Sequence, residues 1–249
     1  MLELKGVTFE VDEENGGTRR ITDKIDLIVP DDRFVVITGP NGSGKSTLAR
    51  LIMGIQKPTE GRIFWNGEDI TDKSISERAN LGISFAFQQP VRFKGIDVLD
   101  LMRISAKREL SVGEACNYLS EVGLCARDYI NREISASLSG GELKRIEIAS
   151  VLARGTKLSI FDEPEAGIDL WSFQNLISVF ESMREKIKGS ILIISHQERI
   201  LDIADEIIVI ADGRIAQQGP KEEVLPGLLS NMNSGYCSRL NDGGAVYGK

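Results

Sequence analysis

The chain has 249 residues, of which 41% are hydrophobic and 27% charged, so it can bury a core and is neither disordered nor fibrous. Acidic residues outnumber basic ones 37 to 30, and the net charge of −7 argues against indiscriminate binding to the nucleic-acid backbone, so no nucleic-acid partner is expected. No run approaches the roughly 18 consecutive apolar residues of a membrane helix, and Met1-Leu2-Glu3-Leu4-Lys5 lacks a charged leader with an apolar stretch, so a cytoplasmic chain without membrane insertion is expected.

In chain order, Leu2-Glu3-Leu4-Lys5 and Val7-Thr8-Phe9-Glu10-Val11 alternate apolar and polar residues at period two and predict half-exposed strands. Asp12 to Gly17 predicts a turn and Ile25 to Val29 a returning strand, which makes an antiparallel layer at the start of the chain. After residue 33, β-rich apolar stretches alternate with helical ones, the pattern of an α/β domain on a largely parallel sheet. Between residues 97 and 135 the pattern is mostly helical, with Val98, Leu101, Met102 and Ile104 spaced for one helix face. Strands return at Leu158–Phe161 and Ile191–Ile194, and Asp212-Gly213 turns Ile207–Ala211 into a hairpin with Arg214-Ile215-Ala216. The expected organisation is one domain: a core over 1–96 and 156–228, an inserted helical subdomain over 97–155, and a loosely held tail over 229–249. Cys116, Cys125 and Cys237 form no Cys-x-x-Cys pair and read as reduced structural thiols, and one histidine is too few for an imidazole metal cage.

The strand Phe34-Val35-Val36-Ile37 runs into Gly39-Pro40-Asn41-Gly42-Ser43-Gly44-Lys45-Ser46-Thr47, and a helical stretch, Leu48 to Met53, follows. Strand, glycine loop and helix in that order are the context a phosphate-binding loop requires. Glycines let consecutive N–H groups fold around an anion, to which the helix N-terminus adds its positive end. Lys45 is expected to bridge the β- and γ-phosphates and Ser46 to supply a magnesium ligand.

A magnesium nucleotide also needs a carboxylate at the end of a neighbouring strand. Leu158-Ser159-Ile160-Phe161-Asp162-Glu163 puts two acids where ligands of open α/β sheets gather. Asp162 is expected to hold Mg2+, and Glu163 to turn toward the γ-phosphate and polarise the attacking water. His196 ends another strand on the same edge, which favours a γ-phosphate contact over a packed or solvated role. Gln88, after Ile83-Ser84-Phe85-Ala86-Phe87, can ligate magnesium or hydrogen-bond the water. Leu138-Ser139-Gly140-Gly141-Glu142 opens a helix pattern with Leu143, Ile146, Ala149 and Ala153 on one face, a second anion-receptive N-terminus. A small domain needs two such sites only if one serves a partner copy, which implies a head-to-tail dimer.

These motifs, in this order, resemble the ATP-binding-cassette (ABC) ATPases over residues 1 to 228. The resemblance implies a P-loop ABC fold with a RecA-like core, ATP and Mg2+ as cofactors, and an ATP-dependent homodimer. In that dimer Ser139, Gly140 and Gly141 would contact ATP bound to the other copy. Glu165-Ala166-Gly167-Ile168-Asp169 resembles the loop that communicates across it. The pattern departs in Glu142, where glutamine is usual, and in Val11, near which the family places an adenine-stacking aromatic; Phe9 is two residues away.

Within the family, Ser84-Phe85-Ala86-Phe87-Gln88-Gln89-Pro90, Ser139-Gly140-Gly141-Glu142-Leu143-Lys144-Arg145 and Ser195-His196-Gln197-Glu198-Arg199-Ile200-Leu201 resemble the SufC-type ATPases of iron–sulfur cluster assembly. That resemblance implies a SufB/SufD-like scaffold as partner, docked near Phe85 to Met102. The alternative is the ATP-binding subunit of a membrane transporter, which uses the same surface. A chromosome-maintenance ATPase would need long heptad-rich insertions that are absent between Ser46 and Leu138.

Overall fold

The computed structural model describes residues 1–13, 16–135, 138–186 and 189–230; Cys237, most of the expected tail and part of the first turn lie outside them. Period-two patterning builds the first layer. β1 (Leu2–Asp12) buries Leu2, Leu4 and Val7 and pairs antiparallel with β2 (Thr18–Val29). The two strands expected on either side of Gly6 are one strand with a register shift between Leu4 and Val7, where Gly6 takes φ 58°.

β3 (Phe34–Thr38) is buried along its whole length and feeds the glycine loop and α1 (Lys45–Met53). β4 (Glu60–Trp65) and β5 (Glu68–Asp69) complete the antiparallel layer in the order β2-β1-β4-β5. After α2 (Ile75–Asn80) and β6 (Ile83–Ala86), the chain enters α3 (Val98–Ala106), α4 (Val112–Glu121), α5 (Ala126–Tyr129) and α6 (Gly140–Arg154). Serine N-caps with glutamate three residues on, Ser74/Glu77, Ser111/Glu114 and Ser139/Glu142, start α2, α4 and α6. Cys116 is half-buried and Cys125 exposed, and both are free thiols.

β7 (Leu158–Asp162), α7 (Leu170–Lys186), β8 (Ser190–Ile194), α8 (Glu198–Asp202), β9 (Glu206–Ala211) and β10 (Arg214–Pro220) follow, and residues 221–230 are helical. The second sheet runs β10-β9-β3-β8-β7-β6, parallel except for β10. Both faces of its interior are covered, which is why β3, β7, β8 and β9 read as largely apolar runs, whereas the edge strand β10 is polar and exposed. Val35 and Ile37 face α1 and the antiparallel layer, while Phe34 and Val36 face the core formed by α3, α6 and α7. No helix of the described residues is long and apolar enough to cross a membrane.

Arg78 of α2 is fully buried and its guanidinium meets only backbone carbonyls. It donates to Leu51 and Ile52 at 2.7 Å each, Thr71 at 2.8 Å and Lys73 at 3.1 Å, and so caps the C-terminal end of α1. Helix α1 is thereby anchored at the end opposite the glycine loop.

Candidate nucleotide site

The order β3-β8-β7-β6 sets four chain segments side by side at one sheet edge: the glycine loop, Ser195-His196, Asp162-Glu163 and Phe87-Gln88. The loop needs its glycines for space as well as for conformation. At Gly39 (φ 138°) a Cβ would lie 2.0 Å from the Ile210 carbonyl oxygen, and at Gly44 (φ 99°) 2.5 Å from that of Ile21. Gly44 caps α1 without a side-chain bond, so the first-turn N–H groups have no side-chain acceptor there. Pro40, Asn41 and Gly42 are exposed, Thr47 is half-buried, and the buried Ser43 hydroxyl has no hydrogen-bond partner.

Lys45 Nζ donates to the carbonyls of Gly39 and Pro40 at 2.8 Å each, closing the loop on itself. Burial lowers its pKa from the usual lysine value, against the pull of Glu163 and Asp162. Ser46 Oγ donates to Asp162 Oδ1 at 2.8 Å. Burial raises the Asp162 carboxyl, and the Ser46 hydrogen bond opposes it. A hydroxyl and a carboxylate thus meet at the loop, a donor pair suited to Mg2+. No cluster of three or more acidic, His or Cys residues suited to a metal occurs among the described residues.

Glu163 holds φ 45°, a costly conformation for a side-chain-bearing residue, fixed by its N–H bond to the Ile194 carbonyl at 3.0 Å. Gln88 Nε2 donates to Glu163 Oε2 at 2.5 Å. With the exposed His196, these side chains line one cleft with Gly42, Gly44 and Lys45–Thr47. Behind His196, Ser195 Oγ donates to Glu165, tying the two loops together. Burial raises the Glu165 carboxyl, opposed by that bond.

Ser139, Gly140 and Gly141 do not line this cleft. Ser139 and Gly140 are exposed, and nothing lies within 4 Å of a Cβ built on either glycine. Glu142 serves as the third residue of the capping box: its carboxylate accepts the Ser139 N–H at 2.6 Å and also the Tyr129 hydroxyl.

Arg19 and Ile21 also line this cleft, and they line a second hollow with Pro40–Ser43 and Asp212-Gly213, to which Gln88, Glu163 and His196 do not contribute. Arg19 was not singled out from the sequence, although it pairs directly with Val11 in the β1–β2 ladder. Phe9 pairs with Thr22 and packs against the core, not in the cleft. The register of the hairpin was the missing signal.

The family model described as "ABC transporter" matches residues 22–166. An uncharacterized ABC transporter ATP-binding protein of Methanocaldococcus jannaschii is 40% identical, over 91% of this chain and 93% of its own length. A sulfate/thiosulfate import ATP-binding protein of Bacillus cereus is 33% identical over 96% of this chain and 67% of its own. A probable ATP-dependent transporter of Cyanidium caldarium is 33% identical over 78% and 82%. Among solved structures, an ATP-binding cassette of an ABC transporter in its ADP conformation aligns at TM-score 0.78 and 28% identity, over 92% of this chain and 94% of that one. A dimeric post-hydrolysis cassette bound to ADP and phosphate shares the fold at TM-score 0.79 and 24% identity, over 89% and 99%. The chain therefore belongs to the ABC transporter ATPase family and is an ATP-binding, ATP-hydrolysing cassette.

Proposed function

We propose that this chain is the ATP-driven subunit of a larger cytoplasmic-face complex, with the partner surface where the helical subdomain over 97–155 meets the segment from Phe85 to Phe93. Loop N–H groups and Lys45 hold the β- and γ-phosphates, and Ser46, Asp162 and Gln88 are the residues that would hold Mg2+. That ion would neutralise charge on the phosphates. Glu163 orients and deprotonates the attacking water, and His196 contacts the γ-phosphate. Ser139, Gly140 and Gly141 complete the site of a second copy, which makes the active species an ATP-dependent homodimer. The observation that carries this reading is the pair of contacts Ser46–Asp162 and Gln88–Glu163, of which Ser46, Gln88 and Glu163 line one cleft.

The partner surface is an apolar groove of about 320 Å³ between α2, β6 and α6, where Phe87, Val91 and Phe93 are exposed. Relatives named as transporter ATP-binding proteins support a membrane permease as the occupant. A second reading, a SufB/SufD-like scaffold of iron–sulfur cluster assembly, is supported by the SufC-like segments at 84–90, 139–145 and 195–201. Gentle anaerobic purification from native cells, with mass identification of stoichiometric partners, separates them. An integral membrane protein supports transport, a SufB-like protein supports cluster assembly, and a chain that purifies without any stoichiometric partner refutes both.

Arg19 and Ile21 occupy the nucleobase end of the cleft. Arg19→Ala is expected to weaken ATP about threefold to tenfold through loss of cation–π stacking, leaving inorganic tripolyphosphate binding unchanged. Titration calorimetry with both ligands checks this, and an equal loss for both would assign Arg19 to the phosphates instead.

A further inference from the structure

β6 is the edge strand of the parallel sheet, and its ladder with β7 ends at Ala86. Beyond that point no strand holds the chain, yet Phe87 and Gln88 must deliver a side chain to Glu163. Two residues of α6 supply the missing ladder. Glu147 Oε1 accepts the Phe87 N–H at 2.9 Å. Lys144 Nζ donates to the Phe87 carbonyl and, at 3.4 Å, to that of Gln88. Lys144 is 1% exposed and forms an ion pair with Glu147 at 3.4 Å. Burial lowers the lysine pKa and raises that of the glutamate, each opposed by the other's charge. A buried pair of this kind contributes little net stability compared with apolar residues of the same volume. Leu143, Ile146 and Ala149 already seat α6 in the core. The pair brackets Phe87, the residue immediately before Gln88: Glu147 holds its N–H and Lys144 its carbonyl.

We propose that Lys144 and Glu147 are positioning residues for hydrolysis: they fix the backbone on both sides of Phe87 so that the Gln88 side chain stays on Glu163. Helix α6 begins at Ser139 and Gly140, and Phe87 and Glu147 line the apolar groove. Movement of α6, whether from a second copy at its N-terminus or from an occupant of the groove, is therefore transmitted through two side chains to Gln88. This inference rests on the roles given above to Gln88 and Glu163.

The test is the double variant Lys144→Met/Glu147→Leu in the full chain, since removing both charges together avoids an unpaired buried ion. With Mg-ATP, kcat is expected to fall at least about tenfold while the ATP dissociation constant stays within about twofold. Amide exchange of the peptide spanning 84–90 should become about tenfold faster, with the rest of the chain unchanged. Adding Gln88→Ala should produce no further loss of kcat, because both changes act through one side chain. Unchanged kcat, or losses that multiply, would overturn the proposal. If the double variant fails to fold, Glu147→Gln retains an acceptor for the Phe87 N–H and removes the ion pair. It should lower kcat about threefold or more, again without adding to Gln88→Ala, and wild-type turnover would refute the clasp. Glu163→Gln in the otherwise native chain serves as the control: if it hydrolyses ATP normally, the assignment of the site fails rather than that of the clasp.

Discussion

Glu163→Gln is expected to lower kcat for ATP hydrolysis by about 100- to 1,000-fold while leaving ATP affinity within about threefold. Among the described residues that line the cleft, Glu163 is the one carboxylate, and the neighbouring Asp162 is engaged by Ser46. Glutamine has the same shape and leaves Lys45, Ser46 and the loop glycines untouched, so the phosphate contacts persist. Slow hydrolysis with intact binding traps the ATP state, and light scattering with Mg-ATP should then show a dimer. Wild-type kcat would remove Glu163 from the water, and a species that stays monomeric with ATP bound would refute sharing of sites between copies.

Arg78→Met is expected to destabilise the chain by about 3 to 5 kcal/mol, read as a lower urea midpoint at unchanged slope. The guanidinium satisfies four carbonyls, and methionine fills much of the volume but none of the hydrogen bonds. The Ile52 carbonyl belongs to the last turn of α1, where a cation also favours the helix dipole. Gly54 is crowded by the same side chain: a Cβ there would lie 2.8 Å from Arg78 Nε. Arg78→Lys keeps the charge without the planar fork and should lose roughly half as much. A loss below about 1 kcal/mol for Arg78→Met would show that water replaces the guanidinium at these carbonyls.

Local constraints are what a chain displays openly. The unit at 34–53 was legible because strand, left-handed glycines and helix are adjacent in sequence and each is dictated within a few residues. The alternation at 2–11 likewise announced an antiparallel strand, although not that Gly6 carries it through a bulge. Lys45, Ser46, Asp162, Glu163, Gln88 and His196 could be named because each ends a strand or opens a helix. β4, β5 and α2 went unread, being short and half-exposed, with too little periodicity to register. Arg19, Arg78 and the Lys144–Glu147 pair were equally silent, for a different reason. An arginine or lysine looks the same in sequence whether it is solvated or buried on backbone carbonyls, and only long-range pairing decides which. The register Val11–Arg19 set one of them at the cleft, the crossing of α2 over the end of α1 buried another, and the position of β6 at the sheet edge brought α6 to Phe87. Residues adjacent in the chain fix the strand, glycine loop and helix of 34–53 and the kinds of side chain at the strand ends. The tertiary structure alone decided their juxtaposition, because strand order and helix crossing depend on contacts between residues far apart in the chain.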